Sequence, residues 1–248
     1  MCSPSCIHYL PIVTITPDQI GENARRLQNE IADEAVRLGR APDDITLVAV
    51  TKKFSADIVS SAAASGLTHF GENRVQEAKS KIPSVESGNP IHWHLIGHLQ
   101  SNKAKDAVVL FELIHSIDHL ELAQAVDHRA GLLGQRQDVL IQVNTTAEAQ
   151  KSGCDPAKLT ELVHQIALLP NLRIRGLMTI GPFVEDRAPI EHAFRLLRRA
   201  FENLKLADLR GGAMEFCSMG MTDDWRIALA EGANMLRIGR AIFGERPQ

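Results

Sequence analysis

Leu47-Val48-Ala49-Val50-Thr51-Lys52-Lys53 is a short apolar run, rich in β-formers, that stops at two lysines. A continuous apolar run of this length reads as a strand buried on both faces, as in a parallel sheet enclosed by helices. A lysine at the mouth of such a strand is partly desolvated, which favours its neutral amine and makes it a better nucleophile. Lys52 is therefore a candidate Schiff-base lysine, with a solvated strand terminus as the plain alternative.

On both sides of this run, strand-like and helix-like patterns alternate. Before it, Thr16-Pro17-Asp18 reads as a helix start. Ile20, Ala24, Leu27, Ile31, Ala35 and Leu38 then recur at helical spacing until Gly39 and Pro42. After it, the spacing predicts helices over 55–65, 74–82, from 103 onward, 118–130 with Asp118 as cap, 156–169, 189–206 and 223–231. The intervening strands fall at 68–70, 91–96, 113–117, 139–143, 174–180, 215–217 and 235–238. Eight strands alternating with helices, with no linker and no shift in composition, predict one α/β domain. It is a single (β/α)8 TIM-type barrel over residues 16–248 with an extra N-terminal helix, preceded by a tail over 1–15. An open doubly wound sheet would usually carry a Gly-rich loop after its first strand, where this chain has Lys52-Lys53-Phe54.

Composition bounds the partners. The 248 residues are 44% hydrophobic and carry a net charge of -3, which gives no electrostatic reason to expect nucleic acid or an anionic membrane. No apolar run approaches the ~20 residues that span a bilayer. The apolar patch over 7–15 has no basic residue before it and is broken by Pro11, unlike a secretory signal. Cys2, Cys6, Cys154 and Cys217 lack paired CxxC spacing, so neither a disulfide framework nor a metal site is indicated and a cytoplasmic location is expected. Cys2 and Cys6 fall in the tail. No pattern demands a dimer, and a monomer is expected.

In a barrel of this kind, functional groups sit at the C-terminal ends of strands and in the loops that follow. The last two strands end in Ser218-Met219-Gly220-Met221-Thr222 and Arg237-Ile238-Gly239-Arg240. Barrels often bind phosphate between these two loops. Ser218 offers a hydroxyl, Gly220 and Gly239 allow close backbone approach, and Arg240 offers charge. Either motif alone is compatible with tight turns only; the two together favour phosphate. A reactive lysine opposite a phosphate site suggests pyridoxal 5'-phosphate (PLP). Arg237, two residues before Gly239, then faces the cofactor ring, with a structural ion pair as its alternative role. A guanidinium keeps the pyridine nitrogen unprotonated because it does not give up its proton, which weakens the ring as an electron sink.

Eight segments now carry a resemblance: Ala49-Val50-Thr51-Lys52, His69-Phe70-Gly71-Glu72-Asn73, Trp93-His94-Leu95-Ile96-Gly97, Leu99-Gln100-Ser101-Asn102-Lys103, Lys151-Ser152-Gly153, Arg175-Gly176-Leu177-Met178, Ser218-Met219-Gly220-Met221 and Arg237-Ile238-Gly239. In this order the chain resembles the PLP homeostasis proteins (YggS/PROSC family), whose fold is the N-terminal barrel of alanine racemase. The resemblance implies that Lys52 is the covalent aldimine lysine and that Arg237 faces the pyridine nitrogen. It implies that Ser218, Gly220, Gly239 and Arg240 meet the phosphate, that Met219 belongs to the cofactor site, and that Asn73, His94 and Met178 line the pocket. Lys151 matches a lysine near the pocket. At position 240 the family often has a small hydroxyl residue, and residues 1–15 match nothing in it.

Two functions of different class fit this pattern. One is a non-catalytic carrier in intracellular PLP homeostasis, passing the cofactor transiently to apo-PLP enzymes. The other is a PLP-dependent amino-acid racemase-like enzyme. A two-base racemase needs a proton donor on each face of the cofactor. In alanine racemase the second is a tyrosine from another domain; here the single tyrosine is Tyr9, in the tail. His94 or His98 would have to substitute. The carrier, with no catalytic residue, is the expected function.

Overall fold

The computed structural model describes residues 15–146, 148, 152–205, 209 and 212–245. Helix α1 (Pro17–Arg37) opens the described chain. The Gln19 amide donates to the Thr16 hydroxyl, and the Thr16 amide donates back to the Gln19 side chain at 2.9 Å, a reciprocal cap that fixes its first turn. Its buried face, Ile20, Ala24, Leu27, Ile31 and Ala35, is the periodic stripe read from the sequence.

Eight parallel strands then close into a barrel in chain order, β8 returning to pair with β1. They are β1 (Thr46–Val50), β2 (His69–Glu72), β3 (His92–Leu95), β4 (Leu113–Ile117), β5 (Gln137–Gln142), β6 (Leu172–Met178), β7 (Phe216–Ser218) and β8 (Met235–Ile238). The helices that follow them are α2 (Ala56–Ala64), α3 (Val75–Lys81), α4 (Ala104–Leu110), α5 (Leu120–Leu132), α6 (Leu159–Ala167), α7 (Arg187–Lys205), α8 (Trp225–Ala230) and α9 (Arg240–Phe243).

Strand side chains alternate between two apolar environments. Outward residues such as Ala49, Phe70, Leu95, Ile141 and Leu177 pack against the helices in one continuous core. Inward residues Val48, Leu113, Leu140, Met178 and Met235 form a separate cluster inside the barrel. Burial on both faces is why a strand such as β1 reads as an apolar run, while β2 and β3 interleave histidines with their apolar residues.

Three local features depart from the expected ones. Helix α5 begins at Leu120, not at Asp118, because the Asp118 carboxylate instead accepts from the Gly153 amide (3.2 Å) and meets the His119 ring (2.6 Å). The segment over 156–169 divides into a tight turn, Pro156–Lys158, capped by Asp155, and α6. After Gly239 the chain makes the four-residue helix α9, too short for any periodic signal. Among the described residues, no helix is long and apolar enough to cross a membrane.

Candidate cofactor site

The strands' C-terminal ends open into a cavity of about 690 Å³, whose lining includes Lys52, Asn73, Asn144, Arg237, Gly239 and Arg240. The parity of the strands brings these together. Val48 points inward, so Val50 and Lys52 do as well; Met235 points inward, so Arg237 and Gly239 follow. Lys52 is half-buried at this mouth.

The backbone bearing Lys52 is held from behind by a buried ionic cluster. Lys81 of α3 donates to the Thr51 carbonyl (2.8 Å), to Glu72 (2.7 Å) and to Glu77 (2.8 Å). Thr51 donates its hydroxyl to the same Glu72 carboxylate at 2.6 Å. Lys53 adopts a left-handed backbone (φ 69°), rare for a side chain of this size, and its amide donates to Glu77 at 2.5 Å. Burial pushes the Glu72 carboxyl above its usual range against the pull of Lys81 and Thr51, and its second oxygen has no partner. The turn after β1 is thus fixed by a charge network, and Lys52 projects from a rigid base.

Arg237 forms the opposite wall. Its guanidinium donates to the Ser218 hydroxyl at 2.6 Å and to the Thr179 carbonyl at 2.7 Å. Burial lowers its pKa to about 10, so it stays protonated at neutral pH. Among the described residues it forms no ion pair with a carboxylate; Asp224 acts on it only at longer range. With five N–H donors on a guanidinium, these two bonds leave donors for the cavity. A buried cation of this kind suits a ligand that presents a hydrogen-bond acceptor.

Glycines shape the rim. A Cβ on Gly97 would lie 2.2 Å from the Asn73 carbonyl oxygen, so only glycine lets the ends of β2 and β3 approach this closely. Gly220 has φ +95° and a Cβ there would stand 2.6 Å from Ala228. It therefore provides both the turn and the packing against α8.

Other expected site residues lie beneath the cavity rather than on its wall. Met178 belongs to the apolar cluster inside the barrel, because its side chain points inward one layer lower than the mouth. His94 is also buried, held between the rings of His69 and His115 at 3.0 Å on each side. Ser218 is fully buried under Arg237, and Met219 faces outward into the helix-packed core. Arg240 does stand at the cavity, but its guanidinium is paired with Asp223 and lies 4.0 Å from Glu245. Lys151, Cys2, Cys6 and Tyr9 lie outside the described residues. Lys81, Glu77, Thr179, His69 and His115 also support the site, though no sequence motif assigns them a role. For His69 the parity shared with Asn73 was the available signal, and for His115 the parity shared with Leu113.

Comparison with known proteins adds to this geometry. Residues 15–247 match the family described as alanine racemase, N-terminal domain. A protein of Pseudomonas aeruginosa named pyridoxal phosphate homeostasis protein is 41% identical over 229 residues, covering 92% of this chain and 96% of that one. The structure of PipY from Synechococcus elongatus with PLP bound superposes with a TM-score of 0.79 at 36% identity, covering 91% of this chain and all of that one (100%). A Clostridium difficile alanine racemase superposes with a TM-score of 0.74 at 14% identity, covering 93% of this chain and 57% of the racemase, and shares the fold.

Proposed function

The chain belongs to the alanine racemase N-terminal domain family and, within it, to the pyridoxal phosphate homeostasis proteins, and on that premise we propose that it is a reversible carrier of PLP. The observation that carries this reading is the pairing across one cavity of a strand-end lysine with a buried, protonated arginine that has no carboxylate partner among the described residues.

When bound, the cofactor supplies an aldehyde that a primary amine captures reversibly. Lys52 provides that amine, held in place by the cluster around Lys81. Arg237 would donate a hydrogen bond to the ring nitrogen and keep its own proton, which would restrain the ring from acting as a strong electron sink. The backbone at Gly239 and in the turn that follows Gly220 would hold the phosphate, with Arg240 at the edge of the cavity and Ser218 supporting Arg237 from beneath. Asn73 borders the cavity.

Two observations support carriage over turnover. The relatives are named homeostasis proteins, and His94, a candidate second proton donor, is tied into the core with its pKa pushed down to about 3 by burial. His98 stands exposed at the cavity rim. In this reading the transient partners are PLP enzymes lacking their cofactor, met in the cytoplasm by a monomeric carrier.

Purified protein given PLP should turn yellow, with a visible absorption band that borohydride fixes and that Lys52→Ala lacks. A wild type that takes up no PLP overturns the reading. Turnover of a free amino acid at about 1 per second or faster would overturn the carrier assignment.

A further inference from the structure

Three consecutive strands place histidines on the inward face of the barrel: His69 on β2, His94 on β3 and His115 on β4. Their rings form a continuous hydrogen-bonded chain. His69 Nδ1 meets His94 Nε2 at 3.0 Å, and His94 Nδ1 meets His115 Nε2 at 3.0 Å. His115 Nδ1 lies 3.5 Å from the Ser218 hydroxyl, which accepts from Arg237. The chain starts where His69 stacks on His92, itself bonded to Glu112, near the N-terminal end of the barrel. It ends at the cavity wall.

Arginine fixes the direction of this chain because it has no acceptor. Arg237 donates to Ser218, so the Ser218 hydroxyl is free to donate onward to His115 Nδ1. His115 then donates from Nε2 to His94, and His94 donates from Nε2 to His69. The opposite polarity would leave the buried Ser218 proton without an acceptor among the described residues, at a cost comparable to a lost hydrogen bond. All three rings are therefore Nε2–H tautomers.

Their dipoles are aligned, each with its acceptor end toward Arg237. Aligned neutral groups can offset the burial of a cation without placing an anion beside it. We infer that His115, His94, His69 and Ser218 are positioning residues: an aligned neutral chain that stabilises and orients the Arg237 guanidinium in place of a carboxylate counter-ion. The arrangement leaves Arg237 a donor toward the cavity and puts no proton acceptor of full charge next to it. Burial also lowers the pKa of His94 and His115, so the chain stays neutral. The charged and titratable groups around it are Arg237 and Asp224 at one end and His92 and Glu112 at the other.

The spectral arm of the test rests on the carrier reading; the tautomer arm does not. Imidazole nitrogen NMR on the full chain without ligand should show His69, His94 and His115 neutral and in the Nε2–H form at neutral pH. An Nδ1–H form or an even mixture at His94 or His115 overturns the inference. In PLP-loaded protein, His115→Leu should move the pH midpoint of the visible band by about half a unit or more, the scale of one hydrogen bond. His115→Gln, which keeps polar atoms at that place, should restore most of the shift. If both variants fold, by an unchanged far-ultraviolet spectrum, and both titrate like the wild type, the inference fails. If the wild type takes up no PLP, the carrier reading fails and the tautomers alone decide the chain.

Discussion

The Lys81 ammonium stands 2.8 Å from the Thr51 carbonyl oxygen, so a cation on α3 grips the peptide that leads into Lys52. The same ammonium bonds Glu72, whose carboxylate is fully buried. Removing one partner of a buried pair leaves the other uncompensated, at about 3–5 kcal/mol. Lys81→Met should lose stability on that scale in urea denaturation and take up PLP poorly. Lys81→Met combined with Glu72→Gln should lose less, because the stranded charge is gone. Equal losses in the two proteins would mean that the ammonium matters for packing rather than for charge.

Gly97 is held to its identity by the Asn73 backbone. Gly97→Ala places a Cβ 2.2 Å from a carbonyl oxygen, so the ends of two adjacent strands must part. Overpacking of this kind costs about 1–3 kcal/mol, and the change falls at the rim of the cavity. Thermal melting should register the loss, and PLP uptake should weaken with it. Gly88→Ala, where nothing lies within 4 Å, should stay within about 0.5 kcal/mol of the wild type.

Acid should unfold the protein through its core imidazoles. Burial pushes His94 down from 6.5 to about 3, and His115 is lowered as well. Between those two values the unfolded chain binds more protons than the folded one, so stability rises with pH there. The contribution is complete above pH 6.5 and is lost as pH falls toward 3. Melting temperatures measured across this interval should drop steadily, and His94→Gln should flatten the slope. An identical slope in the variant would place the acid sensitivity elsewhere.

Arg240 is engaged by Asp223 and approached by Glu245, so its charge is largely answered before any anion arrives. Arg240→Ala should therefore change PLP affinity by no more than about threefold, within the range of an exposed ion pair. Asp223→Asn frees the guanidinium and should tighten binding a few-fold at low salt, with the gain lost at high salt. Spectroscopic titration at two ionic strengths separates the two cases.

The barrel was legible because its most apolar strands, such as Leu47 to Val50, are buried on both faces, and the strands alternate with helical patterns along the chain. The mouth of the cavity was legible because barrel strands place chemistry at their C-terminal ends, which put Lys52, Arg237 and Gly239 on one face. What lay beneath the mouth was not. Lys81 sits in a polar helix and reads as a solvated residue; only the fold turns it back onto Thr51 and Glu72. His94 was assigned to the pocket wall because depth along a strand is invisible in sequence: one strand layer separates it from the cavity. The pairing of Arg240 with Asp223 joins two loops 17 positions apart, and no spacing rule signals it.

The five apolar residues that fill the barrel below the cavity, Val48, Leu113, Leu140, Met178 and Met235, have a consequence for traffic. They stop the passage, so arrival and departure share one doorway. An incoming molecule cannot push an occupant out through the far side. Phe183, largely exposed, and Arg240 stand at the threshold of that doorway. Binding and release are therefore two uses of one opening.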